Sequence, residues 1–339
     1  MRIIIDAMGG DNAPGAIVDG AVAAQKEFGV DITLVGRESE VRPLLEKLGG
    51  NEHITIVDAP DVITMHDDPS TACRAKRGSS MAVALELLKN GEGDACISAG
   101  NTGALLTGAT LTVKRIKGIR RAAMAPVIPN GGRGALLIDC GANAECTAEY
   151  LLQFAYMGSF YSRKILGCDT PRVGLLNIGS EETKGTALQH EAYALLKDAS
   201  DAGRINFIGN VEGFDVFSGN VDVVVADGFS GNILLKTIEG TAKFLMKNIK
   251  NVFMSSTKGK IAGALVHSEL GRVKALLDAS EVGGTAFLGI SRPVIKAHGG
   301  SNARAIRSAV MQAVAVVDSG LVGEIEANVD YMKLGQSET

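Results

Sequence analysis

Residues 172–186, RVGLLNIGSEETKGT, determine how we interpret the rest of the chain. The run that begins at Val173 is small or apolar, as in a buried strand, and Asn177 ends it. Ser180–Glu182 then have the composition of a helix cap and first turn. We predict a strand, a polar loop and a helix start, with Lys184 in the loop or the first turn. A lysine there can meet an anion that free backbone N–H groups attract, although an ordinary surface lysine fits the pattern equally well.

The same design recurs along the chain as a short apolar strand, a polar loop with glycine, and a helix. Five loops share it, at residues 6–12, 98–103, 139–143, 177–186 and 227–232, and residues 298–302 make a sixth. In open α/β sheets, ligands bind beyond the carboxyl ends of the strands, where helix starts present free N–H groups. We therefore predict one polar crevice along these strand ends.

The candidate ligand-binding residues are the polar and glycine residues of these loops. They are Asp6, Gly10, Asp11, Asn12, Gly100, Asn101, Thr102, Gly103, Asp139, Asn143, Asn177, Ser180, Asp227, Ser230, His298, Ser301 and Asn302. Helix caps and tight turns use the same residue types, so each loop also has a purely structural explanation. A satisfied structural histidine is likewise at least as common as a catalytic one. No loop ends in G-K-[ST], which disfavours binding of nucleoside triphosphates.

The order of the apolar runs predicts the fold class. Strands and helices alternate over the first 60 or so residues, which is typical of an α/β fold with a mostly parallel sheet. Hydrophobic residues make up 46% of the 339 residues, with 42 glycines and no tryptophan, and this suits tightly turned α/β structure. Because no linker or repeat interrupts the chain, we expect one catalytic unit over residues 1–339.

Composition also disfavours several classes of protein. A net charge of −4 argues against a general nucleic-acid binder. The five cysteines form no C-x-x-C pair and no common zinc pattern, so we expect free thiols in a reducing cytoplasm and no metal site. Neither a signal peptide nor an apolar run long enough for a membrane span is visible.

Residues 240–270 are locally basic and rich in apolar side chains, with no acid between Glu239 and Glu269. We call this segment the arm. Its candidate contact residues are Lys243, Lys247, Lys250, Phe253, Lys258, Lys260, Ile261 and Leu265. The combination fits an anionic membrane surface or an acidic partner protein. A packed helical hairpin or a dimer arm explains it equally well.

A second basic cluster consists of Arg74, Lys76 and Arg77. It can face an anionic substrate or protein, and a solvated loop is the plainer alternative.

Several stretches taken together resemble one known family. They are IIIDAMGGDNAP, ISAGNTGA, APVIPN, LLIDCGAN, GLLNIGSEETKG, ADGFSGN and HGGSNARA, in order from residue 3 to about residue 305. The chain resembles the acyl-carrier-protein:phosphate acyltransferases of bacterial phospholipid synthesis. The resemblance implies that a long-chain acyl-acyl-carrier protein and inorganic phosphate become acyl phosphate and free carrier protein, without a cofactor.

The resemblance also implies a structure and a location. It implies a three-layer α/β/α homodimer similar to phosphate acetyltransferases and isopropylmalate dehydrogenases. It further implies a cytoplasmic, peripherally membrane-associated enzyme that passes acyl phosphate to a membrane glycerol-phosphate acyltransferase.

The chemistry of such a reaction selects the candidate catalytic residues. Charge develops on the phosphate and on the acyl carbonyl, so the site must supply positive charge and N–H donors. Lys184 is our main candidate, with Asn232 in support. Phosphate is itself a nucleophile, so the reaction requires no serine or cysteine nucleophile and no metal.

Two alternatives remain open at this point. A CoA-dependent short-chain phosphotransacylase would share the anion loops but has no reason for the arm. A non-enzymatic, membrane-associated sensor or scaffold for acyl carriers would need the arm but not Lys184.

Overall fold

Strands and helices alternate along the chain, as the apolar runs predict. The structure, a computed structural model, describes residues 1–50, 52–266, 268–271 and 283–333. Its strands are β1 Arg2–Asp6, β2 Asp31–Gly36, β3 Ile54–Asp58, β4 Ala95–Ser98, β5 Ala123–Ala125, β6 Val127–Ile128, β7 Ala135–Ile138, β8 Arg172–Leu176, β9 Asn206–Val211, β10 Val223–Val225, β11 Thr285–Leu288 and β12 Val294–Lys296.

The helices connect these strands. They are α1 Gly15–Phe28, α2 Glu38–Lys47, α3 Ala72–Ala75, α4 Ser80–Lys89, α5 Thr102–Gly108, α6 Ala148–Lys164, α7 Ala187–Asp201, α8 Gly228–Met254, α9 Thr257–Leu265, α10 Ala303–Asp318 and α11 Leu321–Ala327. A π-helical turn, Ala109–Val113, continues α5, and short 3-10 turns follow β9 and α11.

The strands form two sheets. The first has the order β3-β2-β1-β4-β12-β11-β5, parallel from β3 to β12, with β11 and β5 each antiparallel to the preceding neighbour. The second has the order β6-β7-β10-β8-β9, in which only β6 pairs antiparallel. The predicted α/β fold with mostly parallel pairing is confirmed, with its parallel strands divided between two sheets. The chain passes between the sheets at Pro126, which has no N–H group to continue a ladder.

The core is continuous through both sheets. Ile3 and Ile97 of the first sheet belong to the same buried apolar cluster as Leu136 and Val223 of the second. Helix α6 is buried along nearly its whole length, because its aromatic and small side chains lie against the second sheet. Burying apolar surface from both sheets in one cluster favours their folding together. That residues 1–339 form one catalytic unit stays a prediction.

One predicted helix start is wrong. The helix after β8 begins at Ala187 and not near Ser180. Gly185 has φ +100°, which a helix cannot continue, and the N–H of Thr186 donates to Gln189 Oε1 at 3.1 Å in a capping box. Lys184 therefore lies in the loop and not in the first helical turn.

No single described helix is long and apolar enough to cross a membrane. The pair α10 and α11 would be long and apolar enough only if the two helices were taken together, and a bend of 42° separates them.

Gly231 is the tightest contact between α8 and the loop after β7. A Cβ atom at Gly231 would lie 2.0 Å from the carbonyl oxygen of Asp139, so a Gly231→Ala substitution must displace backbone. We expect this change to lower the free energy of unfolding by about 1–3 kcal/mol or more. Urea unfolding followed by circular dichroism measures it.

Gly240→Ala in the same helix is the matched control. A Cβ at Gly240 meets nothing within 4 Å, so alanine should stabilise the helix by up to about 1 kcal/mol. Equal stabilities of the two variants would contradict the contact between α8 and Asp139.

Candidate functional site

Three loops of the first sheet converge at the carboxyl ends of β1, β4 and β12. The N–H of Asp11 donates to the carbonyl of Gly299 at 2.8 Å, and Asn12 Nδ2 donates to the carbonyl of Ser301 at 3.1 Å. The hydroxyl of Ser98 donates to Asp6 Oδ2 at 2.6 Å. We call this group of loops, residues 6–12, 98–103 and 298–302, the first cluster.

A buried lysine lies beneath the first cluster. Lys296, the last residue of β12, is 7% exposed, and its Nζ donates to the carbonyls of Ala99 and Ala297. Burial disfavours the charged form and lowers the pKa of Lys296 to about 8, although the negative charges of Asp6 and Asp11 oppose that shift. Asp6 is 1% exposed, and its burial raises the pKa of its carboxyl group.

The 298–302 loop has the features of an anion site. Ser301 is 4% exposed, and its hydroxyl has no hydrogen-bond partner among the described residues. Such a buried group gains a hydrogen bond if a ligand binds beside it. The N–H of Gly300 donates to His298 Nδ1 at 3.1 Å, so a neutral His298 carries its proton on Nε2. The N-terminus of α10 follows at once and favours negative charge.

Two loops of the second sheet form a second cluster, residues 139–143 and 227–232. Asp139 is fully buried and accepts hydrogen bonds from the N–H groups of Met124, Cys140 and Asn143 at 2.9, 2.6 and 2.7 Å. Asn143 Nδ2 adds a fourth at 3.0 Å. Burial raises the pKa of Asp139, and these hydrogen bonds oppose that rise. Asp139 thus organises the loop, and its carboxylate has no surface to offer a ligand.

Asn232 belongs to the second cluster through its packing on Gly141. A Cβ atom at Gly141 would lie 3.4 Å from Asn232 Cγ. Asn232 is half-buried at the start of α8. One turn later, Lys236 extends an exposed side chain whose Nζ pairs with Glu239 at 2.9 Å.

The positive charge of Lys236, in the second sheet's helix α8, acts on Lys296 of the first sheet. That charge contributes to the lowered pKa of Lys296, which lies under the first cluster. A lysine on a helix of the second sheet therefore interacts electrostatically with a lysine of the first sheet. An anion that binds near both lysines would be attracted by both charges.

Helix capping accounts for three of the predicted ligand-binding side chains. Asn101, Asp227 and Asn302 accept hydrogen bonds from the N–H groups of Ala104, Ser230 and Ala305 at 3.1, 2.8 and 3.0 Å. Their oxygens are engaged in capping, as the structural explanation expects. A ligand at these loops would meet the first N–H groups of each helix, near Thr102, Ser230 and Ala303.

The loop with Lys184 lies apart from both clusters in its contacts. Asn177 Nδ2 donates to the carbonyl of Lys184 at 3.0 Å, and Lys184 Nζ lies 3.9 Å from Glu181 Oε1. Asn210 of β9 donates to the carbonyl of Glu181 at 2.8 Å. Within the part of the chain that the structure describes, no hydrogen bond or ion pair joins Lys184 to either cluster. Ser180 and Lys184 are exposed there.

Reasoning from sequence missed Lys296 and Lys236. A lysine that ends an apolar strand, as in PVIKA, is a signal for Lys296, because a buried strand has little room for a free charge. Lys236 carries a weaker signal, since it follows the second-cluster loop by one helical turn.

The arm is a helical hairpin made of the last part of α8 and α9. Beyond Ala242, no side chain in the described part of the arm is fully buried. Phe253 is half-buried and packs on Gly263, so it holds the two helices together. Most of the predicted lysines and apolar residues are exposed, including Leu265 at 78%. Residue 267 of the predicted arm lies outside the described residues.

Acidic and sulfur ligands are not grouped at either cluster. Nowhere in the described ranges do three or more His, Cys, Asp or Glu side chains lie together as a metal site would require. The five cysteines are free thiols. What these loops offer an anion is a buried lysine, a hydroxyl without a partner among the described residues, and helix N-termini.

Comparisons with known proteins relate the whole chain to one family. Residues 1–323 match a family model described as fatty acid synthesis protein. The phosphate acyltransferase of Oceanobacillus iheyensis is 49% identical over 331 residues, which cover 97% of this chain and 98% of that protein.

Solved structures share the fold at low sequence identity. A phosphotransacetylase from Streptococcus pyogenes superposes with a TM-score of 0.62 at 18% identity, covering 94% of both chains. A 4-hydroxythreonine-4-phosphate dehydrogenase from Klebsiella pneumoniae superposes with a TM-score of 0.54 at 13% identity, covering 94% of this chain and 99% of that one. These likenesses bear out the predicted kinship of fold with acetyltransferases and dehydrogenases.

We expect the affinity for inorganic phosphate to fall as pH rises through about 8. Lys296 loses its proton there because burial has lowered its pKa to about 8, and a neutral amine no longer attracts an anion. Isothermal titration calorimetry with phosphate, from pH 7 to pH 9, measures this.

The Lys296→Arg variant provides the control, because a guanidinium stays charged over that range. If it folds with wild-type stability, its phosphate affinity should not fall above pH 8. An equal fall in both proteins would remove Lys296 from the anion site.

Proposed function

The chain belongs to the fatty acid synthesis protein family, and from that membership we propose its reaction in full. It is a phosphate acyltransferase, an enzyme that transfers an acyl group to phosphate in fatty acid and phospholipid synthesis. The observation that carries this conclusion is the 49% identity to a phosphate acyltransferase along almost the whole of both chains. We propose a long-chain acyl-acyl-carrier protein as the acyl donor and inorganic phosphate as the acceptor.

The reaction requires electrostatic help and little else. A phosphate oxygen attacks the carbonyl carbon of the thioester, and a C–O bond forms while a tetrahedral oxyanion develops. The C–S bond then breaks, and the carrier's thiol group leaves as a thiolate that takes a proton from water. Because phosphate and oxyanion are both negative, fixed cations and N–H donors lower the barrier by several kcal/mol. Holding the two reactants together contributes further.

The two clusters suggest how the roles divide. We assign phosphate to the 298–302 loop, which offers the unpartnered Ser301 hydroxyl and the N-terminus of α10, with the Lys296 ammonium at the carbonyls of Ala99 and Ala297 in the same cluster. Lys236 approaches from α8 and neutralises charge on the other side. Asn232 then donates to the acyl carbonyl. Lys184 closes the site from the loop after β8 and binds the developing charge, which needs its side chain to leave Glu181.

The arm favours a long-chain donor on a carrier protein. Exposed lysines suit an acidic carrier protein, and the exposed Ile261 and Leu265 suit a long acyl chain or a lipid surface. A short-chain, CoA-dependent enzyme has no use for such a surface. A non-enzymatic sensor would not need the buried lysine and the free hydroxyl at the anion site.

We further infer that the enzyme is cytoplasmic and attaches peripherally to anionic membranes through the arm. Its apolar side chains would enter the lipid interface while its lysines meet anionic headgroups. This location would bring acyl phosphate to a membrane glycerol-phosphate acyltransferase, the partner that the family resemblance implies.

We also propose a homodimer. Phe214, Phe217, Phe229 and Ile233 are exposed where the second sheet meets the start of α8, and burying them between two copies would remove apolar surface from water. Sedimentation of the purified chain should give the mass of two chains.

Acyl phosphate formation from palmitoyl-acyl-carrier protein and phosphate, beside the same assay with acetyl-CoA, tests the reaction. We expect product from the carrier-protein thioester and little from acetyl-CoA. Lys184→Ala should reduce kcat by at least about a hundredfold, the effect of losing one donor to the charge of the transition state. Its circular dichroism should match the wild type, because Lys184 is exposed.

Lys197→Ala is the matched control, since Lys197 is also exposed and pairs with Glu182 of the same loop at 4.0 Å. Unchanged turnover in Lys184→Ala would exclude Lys184 from the mechanism. Turnover of acetyl-CoA alone would identify a short-chain enzyme, and no turnover with either donor would favour the sensor.

Charge reversal on α9 tests the membrane proposal. Each lysine near an anionic bilayer contributes about 1 kcal/mol, so Lys258→Glu with Lys260→Glu should weaken binding to phosphatidylserine vesicles at least about tenfold. Vesicle flotation or sedimentation measures the bound fraction.

Lys47→Glu with Lys117→Glu changes the net charge equally on other exposed surfaces and should leave vesicle binding nearly unchanged. If both double variants bind vesicles like the wild type, the arm is not a membrane contact.

A further inference from the structure

A cavity of about 340 Å³ lies beside the first cluster, between the 69–77 segment and the helical run of α5. Its walls include Pro69, Arg74, Arg77, Glu86 and Leu111. Its volume falls in the range of small-ligand pockets in proteins. The anion site described above does not use this cavity.

Two arginines of this cavity form no ion pair with another described residue. The basic cluster predicted from the sequence divides in the structure, because Lys76 pairs with Asp67 at 2.7 Å and donates to the carbonyl of Val62. Arg74 and Arg77 are exposed, and no ion pair in the described ranges involves either. The one acidic side chain of the lining, Glu86, pairs with Lys89 at 2.9 Å. The cavity is therefore positively charged at the arginines.

The cavity borders the first cluster at Pro69. Pro69 lines it and also lies against the 98–103 loop, where a Cβ atom at Gly103 would be 2.7 Å from Pro69 Cβ. Leu111, Thr107 and Thr112 give the cavity a mixed apolar and polar wall. A ligand in this cavity would have a negative group at the arginines and an uncharged part along this wall.

We propose that the cavity binds the 4′-phosphopantetheine group, the chain through which an acyl carrier holds its thioester. Its phosphate would pair with Arg74 and Arg77, since guanidinium groups bind phosphate oxygens in a bidentate manner. Its methyl and amide groups match the mixed wall, and its thioester end would extend past Pro69 toward the active site. This assignment rests on the proposed function.

Direct binding separates this proposal from the enzyme assay. In isothermal titration calorimetry with the full chain, 4′-phosphopantetheine should bind at least about tenfold more tightly than pantetheine, which lacks the phosphate. The double variant Arg74→Ala with Arg77→Ala should bind the two compounds equally. Arg133 is an exposed arginine before β7, so Arg133→Ala is the matched control and should still bind 4′-phosphopantetheine more tightly.

Kinetics then test the same cavity in turnover. The double variant should raise KM for the acyl carrier at least about tenfold while KM for phosphate changes by less than about twofold. Equal binding of 4′-phosphopantetheine and pantetheine to the wild type would overturn the proposal. If no thioester turns over, the proposed reaction fails. The difference in affinity between 4′-phosphopantetheine and pantetheine still decides whether the cavity binds 4′-phosphopantetheine.

A comparison of two acyl donors shows which carrier supplies the 4′-phosphopantetheine group. Palmitoyl-acyl-carrier protein and palmitoyl-CoA carry the same 4′-phosphopantetheine, so the double variant should raise KM for whichever of them the enzyme uses. A rise for the carrier protein together with unchanged 4′-phosphopantetheine binding would overturn the assignment, because the arginines would then contact the acidic surface of the protein.

Discussion

The buried carboxylate of Asp139 joins the two sheets. It follows β7 of the second sheet and accepts the N–H of Met124 in β5 of the first. Gly231 of α8 packs on the carbonyl of the same residue, so the start of α8 is fixed as well. A buried charge without partners would cost several kcal/mol, and the hydrogen bonds at this carboxylate offset that cost. Asp139 thus helps to position Asn232 and Lys236 relative to the first sheet.

The sequence predicted the architecture better than the chemistry. Alternation of apolar strands and helices is encoded locally, so most element positions and the loops at the strand ends were predictable. The division into two sheets was not, because pairing depends on which strands meet in space. The prediction of the helix start after β8 was wrong for a local reason. The Thr186 capping box and the positive φ of Gly185 outweigh the cap-like composition near Ser180.

Roles of single residues were harder to predict, because a residue type does not reveal its burial. Asp6 and Asp139 looked like ligand-binding carboxylates, yet both are buried and serve the loops around them. Lys184 looked like the principal cation, yet it is exposed beside Glu181, while Lys296 is held among carbonyls with its pKa near 8. Burial makes a charge more effective toward an anion, because less water screens it. The proposed anion site therefore depends chiefly on the buried lysine, Lys296.

The strand order of the first sheet also has a consequence for synthesis of the chain. Strands β11 and β12 lie between β4 and β5, so the second sheet, residues 127–225, leaves the ribosome complete while β4 still has an open edge. An unpaired edge strand can join a strand of another chain, so the nascent protein is exposed to aggregation during this interval. The strand that closes the edge, β12, also carries Lys296. The nascent chain therefore acquires its buried cation in the same step that completes its sheet.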